Sequence, residues 1–123
     1  MDNLGSYIRD KIIDSAGQIS LESISSETQY STRYLSSVLS DKVGVCPKNF
    51  SKIIRFQNAV QLIDSDPNMN LTQISNINGY YDQSHFIKDF SKYMGMSPKK
   101  YQKTIAEQNW LFLKNTYNTG ISI

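Results

Sequence analysis

The sequence contains one unit twice, and this repetition limits what the chain can fold into. Four residue types recur in the same order 50 positions apart: Leu21, Ile24, Ser25, Tyr30 and Leu71, Ile74, Ser75, Tyr80. After one inserted residue the offset becomes 51, which pairs Leu35, Leu39, Gly44, Pro47, Phe50 with Phe86, Phe90, Gly95, Pro98, Tyr101. A twofold repeat of about 30 residues fits a helix-turn-helix unit better than a solenoid, which needs about three or more repeats.

The second unit predicts a short helix with one buried face, in the stretch GYYDQSHFIKDFSKYMGMSPKKY from Gly79 to Tyr101. Its inward residues follow the helical spacing i, i+4, i+7, i+8 and are Phe86, Phe90, Tyr93 and Met94. Asp82 is predicted as the N-cap, Gly79 as the residue of a tight turn, and Gly95 as the end of the helix. Ser84, Lys88 and Ser91 project from the opposite side, and Gln83 and Ile87 lie on the flank nearer the core.

The first unit predicts a matching helix from Thr32 to about Lys42, with Ser31 as its N-cap. Leu35, Val38 and Leu39 face the core in this projection. Arg33, Ser37 and Ser40 face outward, and Ser36 lies on the flank.

The rest of the chain is also predicted to be helical, so the fold class is all-α: two helix-turn-helix subdomains joined by a long central helix, with about seven helices plus a C-terminal extension. A first helix over residues 3–16 should turn Leu4, Ile8, Ile12 and also Ile13 inward, and Ile74 and Ile77 should do so in the second unit. The predicted division is residues 1–46, a connecting helix over 47–64, residues 65–103, and an extension over 104–123. The connecting helix is apolar on most faces, so we expect both repeats to cover it.

The extension carries a helical stripe of Ala106, Trp110, Leu113 and Tyr117. The favoured interpretation is that this stripe packs on its own domain. The alternative is a surface for a partner or a further domain.

Several kinds of chemistry are excluded by the residue counts. Cys46 is the only cysteine and His85 the only histidine, so we predict no internal disulfide, no metal site and no cofactor. Cys46 is expected to be a small buried residue. The sequence shows no nucleophile with a base, no carboxylate pair on one helical face and no glycine-rich phosphate loop, so an enzyme is not expected. It also shows no leader and no apolar run of about 18 residues, so we predict an intracellular protein without a membrane partner.

Positive charge is concentrated in the second half of each repeat. The net charge is −3 over residues 1–31, +4 over 32–55, −3 over 56–84 and +4 over 85–103. Two basic patches are typical of a protein that contacts phosphate, although a solvated basic face is the alternative. The candidate phosphate contacts are Ser31, Lys48, Lys52, Asp82, Lys99 and Lys100, of which Ser31 and Asp82 are caps first.

The stretch Gly79–Tyr101 closely resembles the second helix-turn-helix signature of the AraC/XylS family of bacterial transcription regulators. The runs STRYLSSVL from Ser31 and RFQNAVQLI from Arg55 resemble its first helix-turn-helix and connecting helix. The resemblance covers roughly residues 5–102. It implies a seven-helix domain that binds adjacent major-groove segments of double-stranded DNA in the bacterial cytoplasm, usually to activate transcription.

The resemblance also implies which residues contact bases, namely the early outward positions of each recognition helix: Arg33, Ser36, Ser37, Gln83, Ser84, Ile87 and Lys88. Two departures matter. Gln29 stands where many members have glycine, so a different turn geometry is expected, and the short Ser36 and Ser37 leave most base recognition in the first unit to Arg33.

RNA polymerase and an effector or dimerisation domain are further partners that the family implies. The competing function is a helical protein-interaction module that no longer binds DNA.

Overall fold

Seven α-helices make up the described part of the chain, which is residues 3–118 in a computed structural model, with side chains described to residue 115. They are α1 (Asn3–Asp14), α2 (Leu21–Thr28), α3 (Thr32–Val43), α4 (Pro47–Ser65), α5 (Leu71–Ile77), α6 (Gln83–Met94) and α7 (Pro98–Asn118). No strand occurs among these described residues, which confirms the predicted all-α class. The helices form two compact units whose boundary falls between Asn58 and Ala59, inside α4.

An aliphatic core holds the first unit together. It consists of five fully buried side chains from α1, α2 and α3: Ile8, Ile12, Ile24, Leu35 and Leu39. Phe50 and Ile54, from the first half of α4, pack against it. Each buried aliphatic side chain contributes about 1.5–3 kcal/mol through removal of apolar surface from water. Ile13 is exposed, so the expectation that it faces inward is wrong.

The α1–α2 loop is fixed to α4 through Gly17. Its φ of +80° is strained for a side chain, and a Cβ there would lie 2.5 Å from the carbonyl oxygen of Ser51, so only glycine fits. The Gly17 carbonyl accepts a hydrogen bond from Arg55 Nε at 3.1 Å. This contact closes the first unit around the start of α4.

Aromatic rings hold the second unit together. Phe86 and Phe90 are both 1% exposed. Ring centroids are separated by 5.4 Å from Tyr80 to Phe86, 5.8 Å from Phe86 to Phe90, and 5.7 Å from Phe90 to Tyr101. Such tilted and edge-on contacts add stability beyond the burial of ring area.

The two helix-turn-helix turns share one side-chain hydrogen bond and one left-handed residue. The side chains of Thr28 and Asn78 each donate to a carbonyl four residues earlier, that of Ile24 or Ile74, at 2.8 Å in both units. The residue that follows lies in the left-handed region in both units. Its φ is +70° at Gln29 and +74° at Gly79. Gln29 thus adopts the left-handed φ of a glycine. The backbone bonds of the two turns nevertheless differ, as expected, because the Gln29 N–H donates to the Ser25 carbonyl four residues back and the Gly79 N–H to the Asn76 carbonyl three residues back.

Three further expectations differ from the structure. Cys46 is exposed rather than buried, and Ile77 is about half exposed. The C-terminal extension continues α7, which runs to Asn118. Its large side chains from Trp110 to Leu113 are exposed, so the favoured interpretation that they pack on their own domain is wrong. The side chain of Tyr117 and all residues from 119 onward lie outside the described part.

Candidate nucleic-acid interface

Two capped helices carry the predicted contact residues. Ser31 Oγ accepts a hydrogen bond from the backbone N–H of Tyr34 at 3.1 Å, and Asp82 Oδ1 accepts one from the backbone N–H of His85 at 2.9 Å. Both caps were predicted and are confirmed. Each helix ends at a left-handed glycine, Gly44 or Gly95. The start and the end of α3 and α6 are therefore fixed by local chemistry.

In the first unit the predicted contact residues lie along one side of α3. Arg33 and Ser37 are exposed, and Ser36 is half-buried. Arg33 is exposed, and within the described chain its guanidinium forms neither an ion pair nor a hydrogen bond. An unengaged guanidinium on the first turn of a helix is suited to pair with the O6 and N7 atoms of guanine.

In the second unit Gln83, Ser84 and Lys88 are exposed on α6, and Ile87 is half-buried. Gln83 is the only one of these four with a described side-chain partner, since its Nε2 donates to Thr72 Oγ1 on α5. That bond fixes the orientation of the Gln83 amide and leaves its oxygen as an acceptor. The second unit therefore presents amide, hydroxyl, methyl and ammonium groups together.

Asp82 and His85 form a hydrogen-bonded pair beside this surface. His85 Nδ1 lies 2.9 Å from Asp82 Oδ1, the same oxygen that accepts the His85 backbone N–H. These bonds, the backbone one first and the side-chain one second, lower the pKa of the Asp82 carboxyl. The carboxylate is thus ionised at neutral pH and holds the imidazole in one orientation.

Aromatic side chains near the contact residues were missed by the sequence reasoning. Tyr30 and Tyr34 are both about half exposed, and their ring centroids lie 5.2 Å apart beside Arg33. The signal was present in the repeat, because the offset of 51 pairs Tyr34 with His85, and both lie on the first turn of an exposed helix. Tyr34 and His85 therefore lie next to the predicted contact residues of α3 and α6.

The candidate phosphate contacts are grouped around the starts of four helices. Lys99 and Lys100 lie on the first turn of α7, which Ser97 caps by accepting from the Lys100 N–H at 3.2 Å. Lys48 is exposed at the start of α4. Lys52 lies one turn further along and is half-buried. Ser31 and Asp82 are exposed but already engaged as caps, so an anion there would meet backbone N–H groups and not these side chains.

The described residues contain no group of three or more histidine, cysteine, aspartate or glutamate side chains that could hold a metal ion.

A groove of about 310 Å³ lies in the first unit, lined among others by Ser20, Lys48, Ser51 and Arg55. No described helix is long and apolar enough to cross a membrane.

The chain was compared with protein-family models and with solved structures. The protein-family model described as a helix-turn-helix domain matches residues 24–104. The C-terminal domain of AraT, a response regulator from Geobacillus stearothermophilus, is 28% identical, with a TM-score of 0.74 over 82% of this chain and 84% of that chain. A DNA-binding transcriptional dual regulator from Escherichia coli K-12 is 25% identical, with a TM-score of 0.69 over 82% and 96%.

A probable AraC family transcriptional regulator from Rhodopseudomonas palustris has a TM-score of 0.72 over 84% of this chain and 97% of that chain. At 22% identity, that likeness shows the fold alone. No curated protein matches the chain in sequence.

Proposed function

Because the chain belongs to the AraC-type helix-turn-helix family and is a DNA-binding domain of a transcription regulator, we propose that α3 and α6 each recognise one major-groove segment of a specific site. The observation that supports this proposal most strongly is that α3 and α6 are built in the same way. Each is capped, each has one buried face, and each exposes polar side chains at its first two outward turns. Helices inserted in this way recognise bases through their N-terminal residues.

In the first unit we propose that Arg33 makes the main base contact. Its guanidinium is unengaged, and pairing with guanine is the commonest specific contact of arginine. Ser36 and Ser37 have short side chains, so they contact DNA only where the helix approaches closely. The first half-site should therefore contain one strongly preferred guanine.

In the second unit we propose that recognition is shared. The orientation of the Gln83 amide is fixed by Thr72, which favours contact with adenine or with a neighbouring amino group. Ser84 and Lys88 add a hydroxyl and an ammonium, and Ile87 offers an apolar surface to a thymine methyl group. The second half-site should show several moderate preferences.

Phosphate contacts supply the affinity that does not depend on sequence. We assign them to Lys48, Lys52, Lys99 and Lys100, and to the backbone N–H groups next to Ser31 and Asp82. Neutralising each phosphate should contribute about −0.9 to the slope of log K against log salt concentration.

The test is selection of binding sites from random duplexes with the whole chain, followed by selection with Arg33→Ala and Lys88→Ala. Enrichment of a two-part motif is expected, and each variant should lose preference only in its own half. Arg9→Ala is a charge-matched control, since Arg9 lies on α1 and pairs with Asp10. If no sequence is enriched, the proposal fails and a protein-interaction module is the favoured alternative.

We propose activation, the usual role in this family, as the direction of regulation. Activation requires productive contact with RNA polymerase at a promoter. In vitro transcription from a promoter that carries the selected site should increase when the chain is added, and a decrease would assign repression instead.

A further inference from the structure

The last described turns of α7 expose apolar side chains. Every residue from 107 to 115 is exposed. Trp110, Leu111, Phe112 and Leu113 are 59%, 49%, 71% and 53% exposed. An isolated helical segment as short as the one that begins at residue 107 is only marginally stable in water. Large apolar side chains grouped on a surface mark a binding site. We propose that a second copy of the chain binds here, as an antiparallel pair of α7 helices.

The spacing of the apolar residues fits a helix pair. Ala106, Trp110 and Leu113 follow one another at intervals of four and three residues, the heptad spacing that keeps one face toward a partner helix. These three residues are called the α7 seam. Phe112 lies on the other side of the helix, two residues and about 200° from Trp110.

The charges beside the α7 seam are self-complementary in the antiparallel orientation. Glu107 and Lys114 are the only charged residues from 104 to 115, and the segment is neutral overall. They are seven residues apart, so they lie on the same edge of the seam. In an antiparallel pair, Glu107 of each copy lies beside Lys114 of the other, whereas a parallel pair places neither of these residues beside an opposite charge. Lys114 Nζ lies 5.1 Å from the Trp110 ring centroid, which holds the ammonium at the seam.

The area available matches a weak dimer. Trp110, Leu113 and the stems of their neighbours offer about 400–500 Å² per copy, so a pair buries about 800–1,000 Å². This is near the lower limit for a specific complex and predicts a dissociation constant in the micromolar range. Membrane adsorption fits less well, because interfacial helices carry several lysines or arginines on the polar face and this segment has one.

Self-association is measured without DNA, so its result is independent of the proposed DNA recognition. Sedimentation velocity of the whole chain should show a reversible monomer–dimer equilibrium at about micromolar concentrations. Trp110 is the only tryptophan, so its fluorescence should shift to the red as the dimer is diluted. The double variant W110A/L113A should weaken association at least about tenfold, while Phe112→Ala, the matched control outside the seam, should change it less than about twofold.

Charge exchange tests the orientation. Glu107→Lys and Lys114→Glu should each weaken self-association several-fold, and mixing these two variants should restore it through a heterodimer with two opposite-charge pairs. Both variants alter exposed side chains, and an unchanged circular dichroism spectrum verifies that they fold. The proposal is overturned by a monomer at all concentrations up to about 1 mM, by an equal loss in Phe112→Ala, or by charge variants that associate like the parent chain.

Discussion

The two helix-turn-helix units share their order of helices, their caps and a left-handed turn residue, but many of their core and surface side chains differ. The first has an aliphatic core, a serine cap and a glutamine in the left-handed turn position. The second has an aromatic core, an aspartate cap and a glycine at the same turn position. The comparison shows that the fold depends on a few conformational positions, namely caps and turn residues, and that any apolar set of suitable volume can occupy the core.

The one residue inserted in the second unit accounts for a difference in exposure between two equivalent tyrosines. In the second unit it lets Tyr80 turn inward, where it is 9% exposed and donates to Asp89 Oδ2 at 3.3 Å, while Tyr81 stands 96% exposed. Its counterpart Tyr30 has no such room and stays 48% exposed against Tyr34. The same repeated tyrosine is thus core in one unit and surface in the other.

The largest predicted effect tests the difference in cores. Phe90 contacts two other rings, so Phe90→Ala should lower the free energy of unfolding by about 3–5 kcal/mol. Its counterpart Leu39→Ala should cost toward the lower part of a range of about 2–5 kcal/mol, because it leaves a smaller cavity. Urea unfolding followed by circular dichroism measures both. An unchanged midpoint for Phe90→Ala would mean that the inward face of α6 is wrongly assigned.

The next effect tests how base recognition is divided. Because Arg33 is proposed to make the main base contact of the first unit, Arg33→Ala should weaken binding to the selected site by about 1–3 kcal/mol. Binding to scrambled DNA should weaken much less. Lys88→Ala should cost less, since Gln83 and Ser84 share its half-site. Fluorescence anisotropy titrations on both duplexes give the numbers. Equal losses on selected and scrambled DNA would reassign both side chains to phosphate contacts.

A smaller effect tests the turn. Gln29 occupies a left-handed conformation that costs a side chain about 1–2 kcal/mol, partly offset by the greater freedom of glycine in the unfolded chain. Gln29→Gly should therefore stabilise the chain by up to about 1 kcal/mol, and Gly79→Gln should destabilise it by a similar amount. Thermal unfolding of the pair checks this. A loss of stability in Gln29→Gly would show that its hydrogen bond to the Ser26 carbonyl matters more than the strain.

The fold could be predicted because its determinants are local. Caps at Ser31 and Asp82 and the helical spacing of apolar residues are visible in a single sequence. The exposure of Ile77 and of the α7 side chains could not be predicted, because periodicity shows which side of a helix is apolar and not whether anything covers it. The left-handed φ of Gln29 could not be predicted for a related reason, since the surrounding hydrogen bonds outweigh the preference of one residue.

The last effect distinguishes the two units by the pH dependence of their stability. Tyr101 donates to Asp64 Oδ1 at 2.8 Å, whereas its counterpart in the first unit is Phe50, which cannot ionise. Burial, followed by the bond to Asp64 and the charge of Asp64, raises the pKa of Tyr101 from 10.0 to about 12. The unfolded chain therefore releases this proton at lower pH than the folded chain. The stabilisation is complete below pH 10 and is lost as the pH rises toward about 12.

Tyr101→Phe should remove this part of the alkaline loss, because the variant has no phenol to ionise in either state. Tyr81→Phe is the matched control, since an exposed ring at 96% should leave the pH dependence unchanged. Urea midpoints between pH 9 and about 12 for the three proteins compare the slopes directly. If Tyr101→Phe keeps the slope of the parent chain, the alkaline loss comes from other groups, and the hydrogen bond to Asp64 does not distinguish the second unit from the first.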